Sequence, residues 1–272
     1  MLLAATITAF SPGQTGSPIQ TSKNPNKALT KPQLLKQIKR TRNSRIDKRK
    51  CHDPNEHLSY GDSIYKWTPN WLRIFFQNAQ GLTYSTGGED YKYYLKCLKD
   101  LNVNVAGICE TNRAWQHPHL RAQFTQAARR ENDNLAKTTY GYPTYEVDPI
   151  PPTENSCAGG SITSVFKEWV PRVNGADISD PSGLGRWSGI TFSGKSKSRL
   201  SIITAYRVCA GSIGSAPIGS SFAREYEHFK DAGIANPNPR KQFFDDISVT
   251  IKALQKADHK ILLMLDANEH LV

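Results

Sequence analysis

Ile261-Leu262-Leu263-Met264-Leu265-Asp266-Ala267-Asn268-Glu269 is an unbroken apolar run that ends at once in a carboxylate and an amide. A run of this length and character reads as a buried strand. Asp266 and Asn268, two residues apart, would point to the same side at the end of that strand. Such a pair can orient a water or hold a phosphate. Four residues follow Asn268. The expectation is therefore an enzyme domain that is incomplete at its C-terminus.

Working back along the chain, three more apolar stretches end in a polar group. Residues 72–77 lead to Asn78, residues 103–109 lead to Glu110, and residues 200–205 lead to Tyr206-Arg207. One polar residue at a strand end is ordinarily the start of a loop. An amide, a carboxylate, a phenol and an Asp-x-Asn pair at four strand ends could instead converge on one rim. The mixture suits metal-assisted phosphate chemistry. Glu110 offers hard oxygen to Mg²⁺ (or Mn²⁺), Asp266 could take a proton from an attacking water, and Asn268, Asn78 and Tyr206 could donate to phosphate oxygens.

Helical spacing marks the connecting segments. Tyr91, Tyr94, Leu95, Leu98 and Leu101 predict a helix over 90–101. Pro118 opens another, with Leu120, Phe124, Ala127 and Ala128 on its inner face. A short helix carries Tyr226 and Phe229. A longer one starts at Pro239 behind the N-cap Asn238, with Phe243, Phe244, Ile247, Ile251 and Leu254 as its core stripe. Between them lie β-rich pieces at 145–147, 160–166, 169–173, 187–192 and 200–206, separated by Gly, Pro and Ser. Helices and strands alternate at both ends around a β-rich middle, which predicts a sandwich of two sheets covered outside by helices.

Charge is unevenly spread. Residues 1–66 hold twelve Lys/Arg against four Asp/Glu, a net +8 of the chain's +11. Apolar content of 38% and mean hydropathy of −0.54 are low for a compact globule. We expect a disordered basic N-terminal arm over 1–66 and a folded domain over 67–272. The arm reads either as a solvated tail or as a nucleic-acid-binding or nuclear-targeting segment. Its apolar start, Met1-Leu2-Leu3-Ala4-Ala5, lacks the preceding Lys or Arg of a secretory signal. Five scattered cysteines with no C-x-x-C pair argue for a reducing compartment rather than a disulfide framework. The expected location is intracellular, with the nucleus as one destination.

Gln77-Asn78-Ala79-Gln80-Gly81, Ile108-Cys109-Glu110-Thr111, Ala158-Gly159-Gly160, Thr204-Ala205-Tyr206 and Leu265-Asp266-Ala267-Asn268 stand in a telling order. Together they resemble the endonuclease/exonuclease/phosphatase (DNase I-like) superfamily, over roughly residues 72–268. Glu110-Thr111-Asn112 with Trp115 beyond, and Thr204-Ala205-Tyr206-Arg207, look nearest to the endonuclease domains of non-LTR retrotransposons. The resemblance implies an α+β fold: a four-layer α/β sandwich of two packed mixed β-sheets flanked by helices. It implies Mg²⁺-dependent phosphodiester hydrolysis with nucleic acid, DNA foremost, as partner. Glu110 would be the metal ligand, and Asn78 would contact phosphate or metal-bound water. Tyr206 would hydrogen-bond the scissile phosphate, Asp266 would activate water, and Asn268 would position both Asp266 and the phosphate.

Two departures matter. Gln80 stands where some relatives carry an acid, and the family's later Asp-His pair has no counterpart. His270, two residues past Asn268, cannot take that role by motif. A lost electrostatic donor costs about 10²–10³ in rate, so weak or absent activity is expected. The strand at 261–265 is also expected to form an aggregation-prone edge. The alternatives are a non-catalytic nucleic-acid-binding remnant, or a phosphatase or lipid phosphodiesterase on the same fold.

Gly189-Ile190-Thr191-Phe192-Ser193-Gly194-Lys195-Ser196 spells a phosphate-binding loop, but strands rather than a helix flank it, so we read it as a hairpin. The basic turn at 195–199 reads as a solvated tip, and His117 and His119 as capping or surface groups.

Overall fold

The computed structural model describes residues 71–82, 89–144, 156–211, 216–217 and 219–269 of the 272-residue chain. The basic arm, the strand expected at 145–147 and His270 lie outside the described residues.

Eight strands form two four-stranded sheets among these residues. The first contains β1 (Ile74–Asn78), β2 (Val105–Cys109), β3 (Ala136–Gly141) and β4 (Ser161–Phe166), in the order β1-β2-β4-β3. The second contains β5 (Ile178–Ser179), β6 (Trp187–Ser193), β7 (Arg199–Tyr206) and β8 (His259–Asp266), in that order. Both sheets are mixed: β1 runs parallel to β2 and β7 parallel to β8, and the other pairs are antiparallel.

Helices cover the outer faces, giving the expected four layers. From α1 (Glu89–Asp100) and α2 (Pro118–Glu131), Leu95, Leu98, Leu120 and Phe124 pack on Ala106, Ile108, Ile162 and Phe166 of the first sheet. A short α3 (Ser221–Asp231) precedes α4 (Pro239–Lys256), whose Phe243 and Ile247 pack on Trp187, Ile203 and Ala205 of the second. Asn238 caps α4 as expected, its Oδ1 accepting the Lys241 amide at 3.0 Å. Phe244, placed in the core stripe by spacing, is instead 40% exposed, because the helix turns only one side to the sheet.

Between the sheets, Leu72, Ile74, Val105, Val165, Ile190, Phe192, Ile202 and Met264 form an apolar layer. Beside it runs a buried polar one. Thr163 Oγ1 bonds Thr204 Oγ1 at 2.7 Å and Ser188 O at 2.9 Å, and Ser161 Oγ bonds Ser188 Oγ at 3.2 Å. Each hydroxyl is satisfied, so its burial carries little penalty. The small residues let the sheets approach closely: a Cβ added at Gly107 would lie 2.4 Å from Met264 Cε and 2.5 Å from Thr204 Oγ1.

Departures from the sequence reading are local. The strand expected at 169–173 is a 3₁₀ helix, Lys167–Arg172, with Pro171 inside it. Proline has no N–H for a ladder, and only Val173 keeps a bridge, to Phe192. β3 went unpredicted because Ala136-Lys137-Thr138-Thr139-Tyr140-Gly141 lacks an apolar alternation; its register with β4 defines it. The phosphate-loop-like segment is, as expected, a hairpin, formed by β6 and β7 and closed by a 3₁₀ turn at Lys195–Lys197.

A buried ion cluster ties the start of β6 to α4. Arg186 Nε and Nη2 grip Asp180 at 2.6 and 3.0 Å, and Nη2 also reaches Asp246 at 2.7 Å. Glu225 of α3 is buried beside it. Burial pushes its carboxyl up to about 8, with Asp180 and Asp246 adding to the shift and Arg186 and Arg224 opposing it. An acid with a raised pKa holds its proton in the fold after the unfolded chain has released its own, near pH 4.3. Stability therefore falls as pH climbs from there towards 8.

Two outcomes are expected. Gly107→Val should destabilise by about 1–3 kcal/mol through overpacking, read as a lower urea midpoint with unchanged slope. Glu225→Gln should melt higher than wild type at pH 8.5, and the gap should narrow as pH approaches 5.

Candidate active site

The ends of β1, β2, β7 and β8 meet at one rim because the register aligns them. Asn78 pairs with Cys109, just before Glu110, and Tyr206 pairs with Asp266. Asn78 then bridges the two sheets. Its Nδ2 donates to Glu110 Oε2 at 2.7 Å and to Asp266 Oδ2 at 2.5 Å, while its Oδ1 accepts the Gln80 amide at 2.9 Å. The structure thus brings Asn78, Glu110 and Asp266 together. The Asn78 side-chain nitrogen thus holds both carboxylates.

Backbone strain accompanies these positions. Gln80, Glu110, Asn112 and Asn268 have φ of 48°, 51°, 51° and 46°, the left-handed region that non-glycine residues seldom adopt. The Glu110 segment is held on both sides. Gly81 N bonds Glu110 O at 2.8 Å, and Asn112 N bonds Gly159 O at 2.8 Å. Asn112 Oδ1 in turn accepts the Gly159 amide at 2.8 Å, and Thr111 Oγ1 accepts Trp115 Nε1 at 2.7 Å. The Gly159-Gly160 pair, with φ of 85° and 82°, is therefore a backing for the Glu110 turn.

At β8, Asn268 N bonds Asp266 Oδ1 at 3.0 Å, so the turn orients its own carboxylate. The Asn268 side chain bonds other partners: Nδ2 donates to Arg207 O at 2.5 Å, and Oδ1 accepts Cys209 Sγ at 3.3 Å. The Asn268 backbone N–H thus holds Asp266, while its side-chain nitrogen is bonded to Arg207 O. Tyr206 lies next to Asp266 in the sheet and is 6% exposed, its hydroxyl 3.9 Å from Cys209 Sγ. Burial, then the charge of Glu110, with Cys209 and Asp266, pushes the phenol far above its usual range. It stays a hydrogen-bond donor at any working pH. Burial, with Asp266 and Glu110, likewise raises the Cys109 thiol, which stays protonated.

Neither Glu110 nor Asp266 has an ion-pair partner among the described residues. Two carboxylates on one neutral amide leave negative charge uncompensated at the rim. Carboxylate oxygens are the hard donors that Mg²⁺ and Mn²⁺ take in small number. Among the described residues, no three His, Cys, Asp or Glu side chains form a metal-holding cluster.

His117 occupies the N-cap of α2 but makes no capping bond with its side chain, and its ring stacks on His119 at 5.6 Å. Sequence reasoning missed Asn112 as a support, although its place directly after Glu110-Thr111 was a usable signal. It also missed Arg240 and Glu269, whose contacts near Asn268 no local spacing announces.

No protein-family model matches the chain, and no curated protein matches it either. It is similar to several solved structures. The catalytic domain of human Nocturnin with bound sulfate shares 14% identity, covering 73% of this chain and 64% of that one, at a TM-score of 0.45. An endonuclease/exonuclease/phosphatase family protein from Leptotrichia buccalis shares 9%, covering 61% and 64%, at 0.35. A humanized D. rerio TDP2 shares 12%, covering 73% and 67%, at 0.38. The chain thus spans about 64% of the length of the first two.

Asn112→Ala should cost about 1–2 kcal/mol, the sum of a lost hydrogen bond and of a left-handed φ that Ala tolerates poorly. Urea denaturation would measure it.

Proposed function

We propose that this chain is built for divalent-metal-dependent phosphodiester hydrolysis, on nucleic acid, as a member of the endonuclease/exonuclease/phosphatase superfamily of retroelement origin. The observation that carries the reading is the pair of unneutralised carboxylates, Glu110 and Asp266, held on one amide by Asn78. Glu110 is the residue that would hold the ion, and a bound Mg²⁺ would stabilise charge on the phosphate oxygens.

The chain's own groups divide the remaining work. Asp266, fixed by the Asn268 amide, takes the proton of the attacking water as general base. Tyr206, kept protonated, donates to a phosphate oxygen as negative charge develops there. Asn78 keeps the two carboxylates at a fixed separation. The basic arm at 1–66 would add a salt-sensitive, sequence-independent grip on the phosphate backbone, and a nuclear destination is part of the proposal.

Metal binding gives the test, because it reads the site even where turnover is slow. Millimolar Mn²⁺ should raise the melting temperature of wild type by a few degrees, since a ligand bound only to the native state stabilises it. Glu110→Gln should abolish that rise and lower Mg²⁺-dependent plasmid nicking at least about 100-fold. Equal Mn²⁺ stabilisation of wild type and variant would sink the proposal.

A further inference from the structure

The loop that presents Asp266 is gripped from behind by two arginines from other elements. Arg207, just past β7, sends Nη1 to Ala267 O at 3.2 Å and also to the Glu269 carboxylate, while its Nε donates to Arg240 O at 3.1 Å. Arg240, in the first turn of α4, sends Nη1 to Val208 O at 2.6 Å and Nη2 to Asn268 O at 3.1 Å and Glu269 Oε1 at 2.8 Å. The Arg207 guanidinium also lies over the Phe244 ring, 4.4 Å from its centre, which accounts for a large side chain left half-open on α4.

The carbonyls of Ala267 and Asn268 have left the ladder that ends at Asp266, so nothing in the sheet fixes them. A planar guanidinium with several donors can hold two acceptors at set angles, which a single ammonium cannot. Glu269 supplies one negative charge between the two cations and keeps them together. Asn268 closes the circuit through its bond to Arg207 O.

We propose that Arg207 and Arg240 are positioning residues, which set the direction of Asp266 and Asn268 by clamping the 266–269 turn to β7 and α4. Neither needs to touch substrate. The inference rests on the reading of Asp266 as the general base, and displacement of a reacting group by about 1 Å can cost about 10²-fold in rate.

The experiment pairs hydrogen exchange with kinetics on the full chain, comparing Arg207→Met, Arg240→Met and, as control, Lys241→Ala. Lys241 sits on the same helix and makes only an exposed pair with Asp245. Amide exchange should quicken about tenfold or more in residues 265–269 of both arginine variants, with β6, α4 beyond its first turn and residues 261–264 still protected. Phosphodiesterase kcat should drop about 10–100-fold with KM unchanged, and Lys241→Ala should match wild type. Unchanged exchange at 265–269, or a rise spread evenly over β7, β8 and α4, would overturn the clamp. A KM effect without a kcat effect would do the same. If Arg207→Met fails to fold, Arg240→Met decides, because its side chain is nearer the surface. A wild type without any phosphodiesterase activity removes the proposed function, and the exchange data still decide whether the arginines hold the turn.

Discussion

One amide nitrogen, Asn78 Nδ2, accounts for the arrangement of the rim. It lies between a carboxylate from its own sheet, Glu110, and one from the facing sheet, Asp266. Like charges brought that near would repel, and each would lose water. A neutral donor shared between them reduces the repulsion without cancelling the charge. The remaining negative potential is what a divalent cation would answer. Charge left uncompensated at a strand-end rim is a cost to the fold, the kind of local conflict that functional sites retain.

That contact depends on how closely and in what register the sheets pack. Gly107 admits Met264 and Thr204, and the Ser161, Thr163, Ser188 and Thr204 hydroxyls saturate one another instead of requiring water. Apolar clusters on either side hold the helices to the outer faces. The parallel pairing of β7 with β8 then carries Asp266 level with Tyr206, and that of β1 with β2 carries Asn78 level with Cys109. Four strands of independent origin in the chain arrive at one height. Left-handed backbone at Gln80, Glu110, Asn112 and Asn268 turns their side chains once they are there.

The strand ends and most helices were legible because burial imposes a strong period on sequence. Leu95, Leu98, Leu120 and Phe124 recur as a covering helix must, and they are buried. β3 was illegible, since Thr138 and Thr139 owe their strand state to hydrogen bonds with β4. The segment at 169–173 misled because Trp169 and Val170 look like strand residues while Pro171 decides otherwise. Phe244 misled for another reason: an apolar side chain can serve as a platform for Arg207 instead of entering the core. That Asn78 joins the two carboxylates could not be read either, because an amide's role depends on which acceptors reach it.

What the sequence by itself determined is the inventory and its spacing: two carboxylates, two amides and a phenol, each at the close of an apolar run, and helices able to cover two sheets. Only the tertiary structure decided which of these groups share partners. It placed Glu110 and Asp266, 156 positions apart in the chain, on a single nitrogen. It also placed Arg240 behind Asn268. The physical reason is that side-chain periodicity is a local property of the chain, whereas the meeting of two charges is fixed by the register and separation of sheets built from distant segments.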